Sequence, residues 1–95
     1  MDCKEAFFSS HAVQRMFERG IQTIDIRNIL KYGEEIANYQ NDKPFPSCLI
    51  LGFVNERPVH VVVAFDEEDN RCYIVTAYIP DPRLWENGFK RRKRS

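Results

Sequence analysis

The hydrophobic periodicity of this chain changes once, at Gly33-Glu34, and that change limits the folds open to it. Before it, apolar residues recur every three or four positions, as on one face of a helix; after it they alternate, as on one face of a strand. The first helical stretch, residues 10–21, carries its own start and stop signals. Ser9 or Ser10 can cap the first turn, and Gly20 suits a left-handed position just past the end, letting Ile21 pack back on Met16. Ala12, Val13, Met16 and Phe17 fall on one apolar stripe, with His11, Arg15 and Arg19 in a second stripe along its border. In the next stretch Thr23 is a cap, Ile26, Ile29 and Leu30 form the apolar face, and Gly33 marks the end. Helices this short persist only on a surface that they can pack against.

That surface comes from the alternating half. Strands are expected over residues 36–40, 47–53, 59–65 and 71–79, separated by turn-forming Asn, Asp, Pro and Glu clusters. In the third, Val59, Val61, Val63 and Phe65 share one face, leaving His60, Val62 and Ala64 on the other. In the fourth, Tyr73, Val75, Ala77 and Ile79 stand opposite Cys72, Ile74, Thr76 and Tyr78. Ala6-Phe7-Phe8 either adds an edge strand or staples the first helix. The order of elements predicts an α+β domain: two short N-terminal helices packed on a four-stranded antiparallel meander. The 95 residues make one domain, compact over about residues 6–89, with Trp85 and Phe89 packing a final segment over the sheet and residues 90–95 forming a solvated basic tail.

Charge is distributed unevenly under a formal net of zero. Lys90, Arg91, Arg92, Lys93 and Arg94 hold five of the 14 basic residues, so nine basic side chains face 14 acidic ones in the rest, a formal −5. Such a tail suits nucleic acid, an acidic partner or the acidic body itself. No apolar run is long enough to cross a bilayer and no leader-like pattern precedes the first helix, so no membrane association and a cytoplasmic setting are expected. Cys3, Cys48 and Cys72 are odd in number and lack C-x-x-C spacing; they are read as buried free thiols rather than a metal site or a disulfide framework. Neither a metal nor a cofactor is expected.

Several short motifs, in order, resemble one family. They are His11-Ala12-x-x-Arg15-Met16-x-x-Arg19-Gly20-Ile21, Gly33-Glu34, an apolar strand ending in Gly52, Arg57-Pro58-x-His60-Val61-Val62, and Thr76-x-Tyr78. Together, from about Phe8 to Trp85, they resemble the domain of unknown function (DUF) family 4258. That resemblance implies a likeness to small ribonuclease toxins of the RelE and barnase-like type, with RNA and an antitoxin-like protein as partners.

Metal-independent RNA cleavage needs a base for the 2′-hydroxyl, an acid for the leaving oxygen, and cations for the phosphate. The chain has two histidines, His11 and His60. At a helix start the dipole disfavours a charged imidazole, which suits His11 as the base, with His60 as the acid. Arg15 and Arg19 are candidate phosphate cations, and Tyr78 and Thr76 are candidate hydroxyl partners. A 2′,3′-cyclic phosphate would result. Each residue also has a structural reading: His11 as an exposed helix-start residue, His60 as a buried hydrogen-bonded one, Arg15 as a partner of Glu18, and Arg19 as a cap of its own helix carbonyls. On that reading the domain is a protein-interaction module or an inactive toxin fold. Convergence of His11, Arg15, His60 and Tyr78 decides between the two.

Overall fold

The computed structural model describes residues 1–94; residue 95 of the basic tail lies outside the described residues. Helix α1 runs Ser10–Arg19 and starts as the local signals require. The Ser9 hydroxyl accepts from the Ala12 amide at 3.0 Å and donates to the Val75 carbonyl at 3.2 Å, so one side chain caps the helix and ties it to the sheet. Gly20 takes φ 67° and the Ile21 amide returns to the Met16 carbonyl at 2.9 Å, with Ile21 buried. Only part of the expected apolar stripe turns inward. Ala12 and Met16 are buried, whereas Val13 is 50% and Phe17 86% exposed. Helix α2, Thr23–Tyr32, buries Ile26, Ile29 and Leu30 as its spacing requires. Its start is held by the Asp25 carboxylate on the Gln22 amide at 2.8 Å, one residue earlier than a Thr23 cap.

Five strands follow the order β1-β5-β4-β3-β2. They are β1 Glu5–Phe8, β2 Glu34–Tyr39, β3 Ser47–Val54, β4 Arg57–Asp66 and β5 Arg71–Tyr78. β2 to β5 pair antiparallel in chain order, and the β3–β4 turn sets Asn55 and Glu56 both at positive φ, as a two-residue hairpin requires. The expected four-stranded antiparallel meander is therefore wrong in one respect. A fifth strand, β1, lies parallel to β5, from Glu5 opposite Arg71 to Phe8 opposite Ile74, and makes the sheet mixed. A parallel pair needs a long crossover, here almost the whole domain, so no local turn signal announces it. The same pairing corrects the cysteine reading. It brings the strand's approach alongside β5, where Cys3 and Cys72 are joined in a disulfide across a separation of 69 residues, leaving Cys48 as the one free cysteine.

A second correction concerns faces. Along β4, Val59, Val61 and Val63 join Ala12, Met16, Ile26 and Ile29 in the core under the helices. In β5, both Ile74 and Ala77 reach that core, which strict alternation forbids. The cause is a β-bulge: Val62 pairs with Thr76 and Val63 with Ile74, leaving Val75 as the extra residue, 43% exposed. His60, Val62, Thr76, Tyr73 and Tyr78 consequently share the face turned away from the helices.

Candidate functional site

On that far face the chain beyond β5 returns as a strap. Pro80-Asp81-Pro82 ends regular pairing, and Leu84 and Trp85 close a tight turn on the Asp81 carbonyl. The strap then doubles back. The Glu86 amide donates to the Arg91 carbonyl and the Lys93 amide to the Leu84 carbonyl, both at 2.8 Å, and Trp85 bridges Arg92. The bend uses Gly88 at φ 89° and Phe89 at φ 61°. The run read as a solvated tail is thus, to Lys93, one arm of a small hairpin lying on the domain.

His60 holds that hairpin. It is completely buried, with both ring nitrogens engaged: Nε2 lies 2.8 Å from the Phe89 carbonyl and Nδ1 3.1 Å from the Tyr78 hydroxyl. A carbonyl can only accept, so Nε2 carries the proton and, in the neutral ring, Nδ1 accepts from Tyr78 O–H. Burial raises the Tyr78 phenol above its ordinary range, despite an opposing pull from Arg92, so the hydroxyl keeps the proton it donates. Trp85 closes the cluster edge-on, its ring centre 4.4 Å from that of His60. Burial pulls the imidazole below its ordinary 6.5, with the Phe89 carbonyl opposing.

Because the closed form resists the proton while a released His60 takes one near 6.5, the stabilisation is whole above that pH and drains away as pH falls. Trp85 is the sole tryptophan and reports this contact. Its fluorescence is expected to show strap release on acidification below pH 6.5 in wild type, with that transition missing in His60→Gln. An identical acid transition in both proteins would remove His60 from the account.

The other expected site residues lie elsewhere. Since Val59 and Val61 enter the core beneath the helices, His60 points away from them, and the sheet stands between it and α1. His11 is exposed at the start of α1 and has no hydrogen-bonding partner side chain among the described residues. Arg15 pairs with Glu18 at 3.1 Å, and Arg19 Nη1 donates to the Arg15 carbonyl at 3.4 Å within its own helix. Thr76 shares the far face with Tyr78. The structure therefore unites His60 and Tyr78, with Thr76 along the same strand, and leaves His11, Arg15 and Arg19 across the sheet. Two groups missing from the expected set belong with the first cluster: the Phe89 carbonyl and Arg92, whose guanidinium sits 5.8 Å from the Trp85 ring centre. Trp85 and Phe89 stood out in the sequence as cover for the sheet. Nothing in it linked them to His60, because that contact spans 29 residues.

The remaining chemistry narrows the options. Burial, and then the neighbouring Glu35 carboxylate, push the Cys48 thiol up to about 11, so it is no nucleophile at neutral pH. Among the described residues no three or more His, Cys, Asp or Glu side chains gather as a metal site, and no helix is long and apolar enough to cross a membrane. Lys90 pairs with Glu34 at 3.0 Å and Arg83 with Asp81 at 2.9 Å. Arg91, Arg92, Lys93 and Arg94 have no carboxylate partner among the described residues. Of these, Arg92 stacks on Trp85 and acts on Tyr78, which puts the cation run beside that hydroxyl.

A family described as Domain of unknown function (DUF4258) has a model that matches residues 8–79, most of the chain. The match stops before the strap. No curated protein and no solved structure matches the chain.

Proposed function

We propose that this chain, which belongs to the DUF4258 family, is a toxin-like RNA-binding domain that holds RNA phosphates on the folded arm Arg91–Lys93, and on Arg94 next to it, beside the far face of its sheet. One observation carries the reading. The backbone of the arm is fixed, to Lys93, by its pairing with residues 84–86 and by the His60–Phe89 contact, so its cations are carried at a set place on a body that is otherwise acidic. Arginines offer planar donor forks to phosphate oxygens, and an acidic body confines the anionic chain to the arm. The setting proposed is the cytoplasm.

Binding rather than cleavage is the activity this reading assigns. His60 is committed on both nitrogens and His11 stands alone on the helical side, so an acid–base pair of the two histidines has no shared substrate position. The antitoxin-like partner of the toxin reading has a natural seat on α1, where Val13 and Phe17 lie one turn apart and face solvent.

The test is a salt titration of single-stranded RNA binding. For wild type, log affinity is expected to fall linearly with log salt; replacing Arg91, Arg92, Lys93 and Arg94 with Ala should flatten the slope by about 3 and cut affinity at low salt at least a hundredfold. An unchanged slope in the fourfold variant, or no RNA binding by wild type, would refute the proposal.

A further inference from the structure

We propose that the cleft beside the free end of β3 is a stacking subsite for one base of a single-stranded RNA whose phosphates lie on the neighbouring arm; this rests on the RNA reading above. β3 extends to Val54, but β2 begins at Glu34 opposite Leu51, so residues 52–54 have no strand on their outer side. The gap is bounded by α2 on one side and by the strap on the other. It forms an open cleft of about 630 Å³, within the range of small-ligand sites, with Tyr32, Gly33, Glu34, Gly52, Phe53 and Lys90 in its walls.

Three features of the walls point to a base. Tyr32 is 76% and Phe53 60% exposed, two large rings on one cleft that add nothing to the core. An exposed aromatic pair is what a base needs for stacking, whatever its identity, since every base has a π-face. Asn28 and Glu34 also line the cleft and present the polar atoms that the edge of a base can meet. Lys90 supplies continuity. It lines the cleft and is the first residue of the cation run, so the cleft and the cationic arm adjoin along the strap. The Lys90–Glu34 pair, about half exposed on both sides, spans the cleft and is weak enough to open for a ligand.

A peptide strand could also pair with the bare edge of β3, but the adjoining cations select an anionic chain. Duplex RNA keeps its bases stacked inside and has none to offer.

The experiment compares wild type with Tyr32→Ala and Phe53→Ala on three ligands: single-stranded RNA, an abasic oligonucleotide of equal length, and duplex RNA. Each substitution is expected to weaken single-stranded RNA about tenfold or more, leave abasic and duplex binding unchanged, and preserve the salt slope. Both side chains are exposed, so the melting temperature should not move, and photocrosslinking from a 5-iodouridine RNA should fall on Tyr32 or Phe53. If both variants bind single-stranded RNA like wild type while the arm variants do not, the base subsite is refuted and the arm reading survives. Loss of abasic binding as well would make the aromatics general supports of the arm and equally refute the subsite. If wild type binds none of the three ligands, both proposals fall.

Discussion

His60→Ala is expected to lower the stability of this domain by about 3 kcal/mol, the scale for emptying a fully buried ring site and stranding its polar partners. Two groups lose their partner together: the Phe89 carbonyl, held at 2.8 Å, and the Tyr78 hydroxyl, at 3.1 Å. The Trp85 indole also loses the ring it packs against edge-on. In a domain of this size 3 kcal/mol corresponds to more than about 10 °C in melting temperature. Tyr78→Phe removes only one hydrogen bond and should cost about 1 kcal/mol. Calorimetry gives the magnitudes, and amide exchange at Lys93, whose N–H pairs with Leu84, shows whether the strap opened. A melting temperature within about 3 °C of wild type for His60→Ala would show that the strap is not anchored there.

Gly33→Ala should be comparably damaging, for a reason unrelated to glycine's freedom of φ. The backbone at Gly33 is extended, φ −73° and ψ 172°, which alanine adopts without strain. The obstacle is space. A Cβ there would lie 2.5 Å from the Ile29 carbonyl oxygen, 2.7 Å from Ile50 Cγ2 and 2.8 Å from the Leu51 carbonyl oxygen. Two of these atoms are backbone, one on α2 and one on β3, so relief requires the helix end to lift from the sheet. About 3 kcal/mol is expected, at the upper end for overpacking. Gly20→Ala is the contrast: its φ of 67° is unfavourable for alanine, but nothing lies within 4 Å of the added methyl, so about 1 kcal/mol is expected. Thermal melts of the two variants, side by side, separate steric from conformational cost. If Gly20→Ala proved the worse, the close approach of α2 to β3 would be the wrong explanation.

Much of the domain is legible residue by residue. A serine cap at Ser9 or Ser10, which the structure places at Ser9, the Gly20 stop with Ile21 folded back, the buried face of α2 and the four strands from Glu34 to Tyr78 all follow from signals within a few positions of where they act. The parallel strand was readable only as one of two options, because its partner lies more than 60 residues away. The bulge at Val62 and Val63 escaped because Val75 and its neighbours are all good strand formers, and alternation carries no mark of an added residue. Phe17 escaped for a similar reason. A helix with four apolar positions can lean to either side of its stripe, and the contact with β5 chose Ala12 and Met16.

The candidate site shows the same division. Two histidines beside arginines and a Thr-x-Tyr pair were visible as chemistry, and the neighbouring strands did bring His60 to Tyr78 through the register that pairs them. Whether His11 joined them depended on the face each element presents. Sheet alternation sends Val59 and Val61 to the helices and His60 to the opposite side. The strap then occupies His60's second nitrogen and turns an apparent tail into an ordered cationic arm.

By itself, the sequence determined the two helices and their glycine ends, the four antiparallel strands that follow them and the concentration of positive charge, because each depends on local periodicity, turn chemistry or simple counting. Tertiary structure alone decided the fifth strand, the Cys3–Cys72 link, the inward histidine and the cleft between Tyr32 and Phe53. Each of these joins residues far apart in the chain, and only the packed domain determines which distant partners meet.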